Sequence, residues 1–403
     1  MYNLTQRRVV LGVTGSIAVY KAVDLASKLT QADAEVDVVM TPGATKFVSP
    51  ITFQGVTGRR VYFDMWDQHS DVPEPHVMLA RGADLMVIAP ATATTIARIA
   101  LGLAEDMVSL TALATRAPLV VCPAMDSNMY EHPATLAHVE TLRGRGVHLV
   151  GPEDGRLASG QIGTGRFSDI EKILGGIRYV RGLHGDLTGK KIVVSAGGTH
   201  EPIDPVRFVG NRSSGKMGYA IAEAARDRGA QTVLISGPVS LPHPYGVRVI
   251  HAARAVEMRD AVLAETPDAS VLIMAAAVAD YQPAEAVGEK IKRQGRDGIE
   301  LSLVSTPDIL ASVDPRPGLI KVAFAAESHD LAANARHKLL AKGVDLIAAN
   351  DILDPASGFG TDTNNVLLID RDGKEEQLPL LSKYDVGGRI LDAVARMMES
   401  DSK

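Results

Sequence analysis

The sequence predicts an α/β protein of two domains, each a parallel sheet covered by helices on both faces to give three layers. Short β-branched apolar runs alternate with amphipathic helical patterns along the chain, which is typical of a parallel sheet. The 403 residues exceed the ~150 residues of a usual domain. A polar stretch at residues 181–190 interrupts the alternation, so we predict domains at residues 1–188 and 189–403.

The alternation also predicts the individual strands. In the first domain they are 8–13, 36–40, 85–89, 119–122 and 147–150. In the second they are 191–195, 232–236, 247–250, 271–275, 320–325, 346–349 and 366–370. Open parallel sheets bind ligands outside the carboxyl ends of their strands, so each domain is expected to have a pocket of its own.

Composition excludes several classes of protein. The single cysteine, Cys122, excludes a disulfide framework and a cysteine-based zinc site, and its apolar strand predicts an inert core residue. The net charge is −6 with acids and bases interspersed, so no nucleic acid is expected as a partner. The longest apolar run, residues 271–279, is about half of the ~20 residues that a membrane span needs. No signal-peptide pattern precedes the first strand, and we expect a cytoplasmic protein without a membrane partner.

Two segments of the first domain suit a phosphate. Thr14-Gly15-Ser16-Ile17 follows a strand and begins a helix, where backbone N–H groups and a hydroxyl can bind an anion. The alternative is an ordinary turn with a serine N-cap. The spacing lacks G-x-G-x-x-G, which disfavours a dinucleotide. Thr92-Ala93-Thr94 repeats the pattern without a Walker lysine, which fits a mononucleotide such as a flavin phosphate better than ATP.

Two further features of this domain are candidates for chemistry. His76 lies at the start of a predicted helix, where it is either an acid–base group or a partly exposed helix-end histidine. Residues 155–166 are rich in glycine and predict a mobile flap, with a plain surface loop as the alternative.

In the second domain, residues 210–217 nearly match a P-loop. Met217 replaces the Ser/Thr that would hold Mg²⁺, and the segment lies about fifteen residues beyond the nearest strand, so we reject a P-loop. We predict instead a helix over residues 217–228 with Ser214 as its cap. The connection at 199–214 is long enough to indicate a functional loop.

Charged residues of the second domain form another candidate set. Asp280 follows a strand, where an acid can bind a ribose hydroxyl or Mg²⁺, and the basic run that begins at Lys290 can reach a triphosphate. A solvated basic loop is the alternative for that run. Lys338 and Lys342 have i,i+4 spacing and are either ligand-binding or a charged helix face.

Together these motifs resemble the bifunctional phosphopantothenoylcysteine decarboxylase / phosphopantothenate–cysteine ligase family of bacterial coenzyme A biosynthesis. The resemblance covers essentially the whole chain. It rests in the first domain on residues 12–18, 90–94 and 123–125. In the second domain it rests on 195–199, 201–207, 211–215 and 275–281.

For the first domain the resemblance implies a flavodoxin-like flavoprotein that decarboxylates with FMN. The cysteinyl thiol of the substrate is oxidised to a thioaldehyde, the carboxylate leaves, and reduction of the ene-thiol gives 4′-phosphopantetheine. His76 matches the catalytic histidine, and residues 156–166 match the lid. The implied FMN-binding residues are Gly15, Ser16, Ile17, Thr41, Thr92, Ala93, Thr94 and Met125.

Two catalytic positions depart from the family pattern. Asp126 stands where the family usually has asparagine, whose amide is thought to hold the substrate carboxylate, and an ionised aspartate offers only acceptors. Ser159 stands where the family usually has the cysteine that is thought to protonate the ene-thiol, and serine is a much weaker acid.

For the second domain the resemblance implies a Rossmann-like ligase. Phosphopantothenate attacks the α-phosphate of CTP, and cysteine then attacks the resulting acyl-cytidylate. Asn211 matches the residue that handles this intermediate, and Lys290 matches a lysine associated with turnover. The implied nucleotide-binding residues are Met274, Ala275, Ala276, Asp280, Lys290, Thr306, Pro307, Asp308, Ile309, Phe324, Lys338 and Lys342. Mg²⁺ is expected on the nucleotide rather than in a protein cage.

The substrates implied by the resemblance are 4′-phosphopantothenate, L-cysteine and CTP, and the implied assembly is a homo-oligomer. Its flavin domain forms trimers, possibly within a dodecamer, and its ligase domain forms dimers. Two alternatives to the bifunctional enzyme remain: a ligase fused to an FMN-binding domain that decarboxylates weakly, or a first domain that serves as an assembly or regulatory module.

Overall fold

A computed structural model describes residues 4–67, 72–292, 298–327, 329–351 and 360–401. The chain forms two compact units, Met1–Gly182 and Leu183–Lys403. Both are parallel α/β sheets with helices on their faces, so the predicted fold class is confirmed. Among the described residues, no helix combines the length and apolarity needed to cross a bilayer.

The first unit contains a sheet of six parallel strands. Their bounds are β1 (Arg8–Val13), β2 (Glu35–Met40), β3 (Val61–Tyr62), β4 (Leu85–Ala91), β5 (Leu119–Pro123) and β6 (His148–Leu149). The order β3-β2-β1-β4-β5-β6 reverses between β1 and β4, and it differs from the 2-1-3-4-5 order of flavodoxin. A separate hairpin consists of β7 (Glu153–Arg156) and β8 (Ile162–Arg166), and it contains the predicted flap.

Helices surround this sheet. They are α1 (Val19–Gln31), α2 (Pro50–Thr57), α3 (Pro75–Gly82), α4 (Ala93–Leu101), α5 (Met107–Ala114), α6 (Ser127–Tyr130), α7 (Pro133–Gly144) and α8 (Ile170–Gly182). Side chains of α3, α4, α5 and α7 pack with the strands in one apolar core. Cys122 is fully buried in β5, and burial raises the pKa of its thiol, which confirms the predicted core role.

The second unit repeats the same strand order and extends it. Its main sheet contains β9 (Lys191–Ala196), β12 (Gln231–Ser236), β13 (Arg248–His251), β14 (Val271–Met274), β17 (Ile320–Glu327), β18 (Leu346–Asp351), β20 (Val366–Asp370) and β21 (Glu375–Gln377). The order is β13-β12-β9-β14-β17-β18-β20-β21, and only the last two strands are antiparallel to their neighbours. The order therefore reverses between β9 and β14. Short pairs outside this sheet are β10 (His200–Pro202) with β11 (Phe208–Gly210), β15 (Tyr281–Pro283) with β16 (Leu303–Ser305), and β19 (Thr363–Asn364) with β22 (Leu381–Ser382).

The helices of the second unit are α9 (Lys216–Arg226), α10 (Ala255–Glu265), α11 (Leu331–Lys342) and α12 (Lys383–Asp401). Alternate residues of the strands belong to different cores, because successive side chains of a strand point to opposite faces. Val322 packs with α9 and α12, whereas Ala323 packs with α11. The helices α9 and α12 therefore cover one face of the sheet, and α10 and α11 cover the other.

The predicted cap of α9 is wrong. The N-cap residue is Gly215, with φ of 75° and no side-chain cap. A serine cap uses an extended backbone at the N-cap position, whereas this turn requires a left-handed residue that glycine adopts readily. The Ser213 hydroxyl accepts a hydrogen bond from the Gly215 N–H at 3.3 Å, so a serine acts one residue earlier than predicted.

Candidate functional site

The strand order of the first unit reverses between β1 and β4, and the carboxyl ends of these two strands are called the crevice of this unit because open α/β sheets bind ligands there. Thr14, which follows β1, is buried and donates a hydrogen bond from Oγ1 to the Pro90 carbonyl at 2.7 Å. Its Oγ1 also accepts from the Thr92 N–H at 3.0 Å. One hydroxyl therefore joins the two loops that form the crevice.

The segment after β1 meets the segment after β2 at close range. A Cβ at Gly15 would lie 3.0 Å from the Gly43 carbonyl carbon, so this approach of two backbones favours glycine. The Ser16 hydroxyl accepts from the Ala18 N–H at 3.3 Å, and the buried Thr41 hydroxyl accepts from the Ala44 N–H at 3.2 Å. These hydroxyls hold the turns beside the crevice.

The helix α4 begins at the other side of the same crevice. Thr92 is its N-cap, and its Oγ1 accepts a hydrogen bond from the Thr95 N–H at 3.3 Å. Ala93 and Thr94 form the first turn, where the N–H groups of a helix have no intrahelical partner. This arrangement suits the phosphate of a mononucleotide.

The two departures from the family pattern touch each other. The Ser159 hydroxyl donates to Asp126 Oδ2 at 2.7 Å, and Asp126 Oδ1 accepts from the Asn128 N–H at 3.1 Å as the N-cap of α6. The flap is also fixed to this loop through the Met125 N–H, which donates to the Gly165 carbonyl at 3.1 Å. Residue 159 therefore lies beside Asp126 because the hairpin of β7 and β8 is hydrogen-bonded to the loop after β5.

His76 lies in the first turn of α3 and is half-buried. No hydrogen bond joins it to another described residue, and its ring is available to a ligand. The structure therefore brings Asp126 and Ser159 together but shows no direct contact between this pair and His76 in the described part of the chain.

The second unit has the equivalent crevice between β9 and β14. The Ala277 N–H donates to the Gly197 carbonyl at 2.8 Å, and the Ala279 N–H donates to the buried Thr199 Oγ1 at 3.0 Å. The Asn211 side-chain amide donates to the Val278 carbonyl at 2.9 Å. The amide of Asn211 is thereby oriented at the strand ends.

A cleft of about 660 Å³ opens along these strand ends. It gathers segments that are far apart in sequence: the start of α9, the loop after β14, the loop after β16, and α11. The lining includes all predicted nucleotide-binding residues except Lys290: Met274, Ala275, Ala276, Asp280, Thr306, Pro307, Asp308, Ile309, Phe324, Lys338 and Lys342. Asn211 lines it as well.

Charge is concentrated in this cleft. Lys342 Nζ lies 2.5 Å from Asp308 Oδ2. Burial raises the pKa of Asp308, but the hydrogen bonds from Lys342 and from the Ala311 N–H outweigh burial, so this pKa lies below its usual range. Asp308 therefore keeps a negative charge that holds one lysine at the cleft wall.

Lys290 is exposed and does not line the cleft, although its neighbour is firmly held. The Ile291 N–H donates to Asp204 Oδ2 at 3.2 Å, and Arg207 Nη2 donates to the Ile291 carbonyl at 2.7 Å. Asp204 also accepts from Arg207 Nε at 3.0 Å, and the Arg207 guanidinium holds the pKa of this carboxyl well below its usual range. The long loop after β9 thus fixes the segment that carries Lys290.

The cleft also holds polar residues that the sequence reasoning did not assign to nucleotide binding: Arg212, Ser213, Ser214, Lys216, Asn350, Asn364 and Lys383. Asn350 lies at the carboxyl end of β18, where the position of a strand end predicts pocket residues. Lys216 and Lys383 follow no such signal, because two distant helices bring them together. No cluster of three or more potential His, Cys, Asp or Glu metal ligands occurs among the described residues.

The fold defines a class: a two-domain α/β protein with a parallel sheet in each domain. Family models agree with this division, since the flavoprotein model matches residues 1–181 and the DNA/pantothenate metabolism flavoprotein C-terminal domain model matches residues 187–398. The chain belongs to the family of bifunctional coenzyme A biosynthesis proteins, and it is an enzyme with two activities.

Relatives match along nearly the whole chain. The coenzyme A biosynthesis bifunctional protein CoaBC of Bacillus subtilis (strain 168) is 44% identical over 398 residues, covering 98% of each chain. The protein of the same name from Escherichia coli (strain K12) is 42% identical over 408 residues, covering 100% of each. A crystal structure of the C-terminal domain of such a protein is 36% identical, with a TM-score of 0.46, and covers 54% of this chain and 99% of that one.

Proposed function

We propose that this enzyme converts 4′-phosphopantothenate, L-cysteine and CTP into 4′-phosphopantetheine. The second unit joins cysteine to phosphopantothenate, and the first unit decarboxylates the product. The cleft of the second unit supports the proposal, because it gathers on one surface all the residues that the family resemblance implies for nucleotide binding except Lys290.

In the ligase reaction, the carboxylate of phosphopantothenate attacks the α-phosphorus of CTP and pyrophosphate leaves. The cysteine amine then displaces CMP from the acyl-cytidylate to form the amide. Small residues after β14, including Ala275 and Ala276, leave room for the base, while Lys338 and Lys342 neutralise phosphate charge. Asn211, oriented by the Val278 carbonyl, is placed to hydrogen-bond the acyl-cytidylate. Mg²⁺ binds through the nucleotide and water.

The crevice of the first unit fits FMN. The start of α4 offers N–H groups and the Thr92 hydroxyl to a phosphate, and the backbones at Gly15 and Gly43 leave no intervening side chain. Bound FMN supplies a two-electron acceptor and donor for the cysteinyl thiol. His76 serves as the acid–base group near that thiol. Residues 162–166 keep the flap over the site through Met125.

A second candidate function follows from the contact between Ser159 and Asp126: a ligase joined to a flavin domain that decarboxylates weakly. The Ser159 proton is directed to Asp126 rather than to a substrate. An ionised Asp126 cannot donate to the substrate carboxylate and repels it. Under the main proposal, Ser159 instead passes a proton to the ene-thiol when substrate displaces this hydrogen bond.

One incubation separates the two candidates. FMN-loaded protein is mixed with phosphopantothenate, cysteine, CTP and Mg²⁺, and products are followed by mass spectrometry, with matched reactions that lack CTP or cysteine. We expect 4′-phosphopantetheine from the complete reaction. Accumulation of phosphopantothenoylcysteine would support the second candidate, and a large gain with Ser159→Cys would locate the defect in the flap. Absence of both products would contradict the proposal.

The proposal extends to assembly. We propose that the first unit associates as trimers, possibly within a dodecamer, and that the second unit associates as dimers. Sedimentation of the purified protein tests this, and a monomer at micromolar concentration would contradict it.

A further inference from the structure

Lys216 and Lys383 line the same cleft as Lys338 and Lys342 but come from the opposite layer of helices. Lys216 begins α9 and Lys383 begins α12, and both helices cover one face of the sheet. Lys338 and Lys342 lie on α11, which covers the other face. The cleft therefore receives two lysines from each side of the sheet edge.

The two lysines converge on one turn of the chain, residues 360–362. Lys216 Nζ donates to the Gly360 carbonyl at 2.8 Å and to Asp362 Oδ1 at 2.7 Å. Lys383 Nζ donates to the Thr361 carbonyl. An ammonium group has three N–H donors, so each lysine retains capacity for a further acceptor from the cleft.

Positive charge is in excess at this point. Lys383 is only 7% exposed, and no carboxylate among the described residues lies within ion-pair distance of its ammonium. Asp362 pairs with Lys216, and its side chain is 88% exposed. Burial, followed by the nearby Lys216, lowers the pKa of Lys383, and the charge of Asp362 opposes this shift only in part. A buried cation whose charge is only partly compensated is costly, and an anionic ligand in the cleft would relieve that cost.

The cleft as a whole favours an anion. Its charged lining consists of Arg212, Lys216, Lys338, Lys342 and Lys383 against Asp280 and Asp308. Asp308 is paired with Lys342, so it does not compensate the charge on the α9 side.

We infer that Lys216 and Lys383 form a phosphoryl-binding subsite at the α9 side of the cleft. Its ligand is a phosphoryl group with at least two free oxygens, which the two ammonium groups bind from one side. Two sources fit this chemistry, the polyphosphate of the nucleotide and the phosphate monoester of the acyl substrate. Naming these two sources rests on the proposed function, whereas the anion subsite itself does not.

The test uses the full-length protein and three probes: inorganic pyrophosphate, CTP and 4′-phosphopantothenate. Affinities are measured by calorimetry for Lys216→Gln and Lys383→Gln, with Lys374→Gln as a matched control on an exposed turn outside the cleft. We expect each cleft variant to bind pyrophosphate about tenfold more weakly than wild type, because a charge-assisted hydrogen bond is lost. The control is expected to bind as wild type does.

The pattern across probes identifies the source. A loss for CTP that parallels the loss for pyrophosphate assigns the subsite to the polyphosphate, and a loss for phosphopantothenate that parallels it, with CTP affinity unchanged, assigns the subsite to the monoester. Lys383→Arg keeps the charge and should restore most of the affinity, which separates anion binding from a disturbed fold.

Unchanged affinities for all three probes in both variants would overturn the inference, as would a wild type that binds none of them. A wild type that binds pyrophosphate through these lysines but does not bind CTP would uphold the subsite and contradict the proposed function.

Discussion

The main sheets of the two units share one order of six parallel strands, β3-β2-β1-β4-β5-β6 in the first and β13-β12-β9-β14-β17-β18 in the second. The order reverses at the same place in both sheets, yet the side chains at that place differ. In the first unit the crevice offers hydroxyls and backbone N–H groups, with Thr14 joining the loops after β1 and β4. In the second unit, lysines from both helix layers surround the cleft. The same topology therefore carries two different sets of polar groups, because loops and helix ends determine the chemistry of the site.

The two units also differ in the segment attached beside each crevice. In the first unit, a hairpin is fixed to Met125 through Gly165 and to Asp126 through Ser159. In the second unit, the segment that carries Lys290 is attached at one side through Ile291 to Asp204 and Arg207. If each crevice performs one step, a change in one unit should leave the other step intact.

The largest expected effect comes from His76→Asn. Loss of an acid–base group costs about 10²- to 10⁴-fold in rate. We expect decarboxylation to fall by this amount while CTP-dependent pyrophosphate release stays at the wild-type rate, and phosphopantothenoylcysteine to accumulate. His138→Asn, at a half-buried position on α7, is the control. An equal fall in both rates would show that the two steps are not separable.

The second largest effect is expected for Asp204→Asn, which should slow the proposed ligase step of the second unit and leave the proposed decarboxylase step of the first unit unchanged. Asparagine lacks the charge that binds Arg207 and one of the two acceptors that Asp204 uses. The backbone at Ile291 then loses its anchor, and misplacement of Lys290 should slow ligation by about 10- to 10²-fold. Ligation is measured as pyrophosphate release, and decarboxylation of supplied phosphopantothenoylcysteine should be unchanged.

The exposed Asp268, which pairs with Lys191, provides the control Asp268→Asn.

The pKa of Asp204 also predicts how the stability of the protein depends on pH. Because the folded pKa of Asp204 lies below its unfolded value, its stabilising effect is complete above the unfolded value and is lost as the pH falls through the folded one. The wild-type advantage over Asp204→Asn in thermal melting should therefore shrink only under acidic conditions; an advantage that grew on acidification would contradict this assignment.

The matched hydroxyls Thr14 and Thr199 test the crevices directly. Thr14→Val removes the donor to the Pro90 carbonyl and the acceptor for the Thr92 N–H, while Thr199→Val removes the acceptor for the Ala279 N–H. Each unsatisfied buried group costs about 1–3 kcal/mol. We expect Thr14→Val to release FMN at a lower urea concentration than wild type while its CTP affinity is unchanged. We expect Thr199→Val to bind CTP more weakly while its FMN is released at the wild-type urea concentration. Identical effects of the two variants would contradict separate sites.

Much of the fold could be predicted because fully buried parallel strands are continuous apolar runs. The predicted strand at 366–370 coincides with β20, and that at 8–13 coincides with β1. Short paired strands such as β10 and β11 were not predicted, since three residues carry no periodicity. The α9 cap was wrong because Ser213, Ser214 and Gly215 all suit a turn, and only the backbone angle at Gly215 decides among them.

In the candidate site, too, some residues could be predicted from the local sequence and others depend on contacts between distant segments. Residues that follow strands, such as Thr14 directly after β1 and Asp280 in the loop after β14, can be predicted from the position of the strand in the sequence. The contact between Asp126 and Ser159 depends on how a hairpin folds back over 33 residues of sequence separation. The convergence of Lys216 and Lys383 depends on two helices that are far apart in the chain, and no local pattern encodes it.

The smallest expected effect is that of ionic strength. It compares the uncharged crevice of the first unit with the lysine-lined cleft of the second unit without any substitution. Salt screens exposed charges over about 8–10 Å at physiological concentrations, and it affects neutral hydrogen bonds far less. Lys216, Lys338 and Lys342 of the cleft are partly exposed, so raising NaCl from about 0.05 to 0.5 M should weaken CTP binding several-fold. FMN retention should change by less than about twofold, because none of the residues proposed to hold it is charged. Equilibrium dialysis measures both affinities on one sample. If FMN and CTP showed equal salt dependence, a cationic side chain would have to contact the flavin phosphate, and the contrast between a backbone site and a lysine site would be wrong.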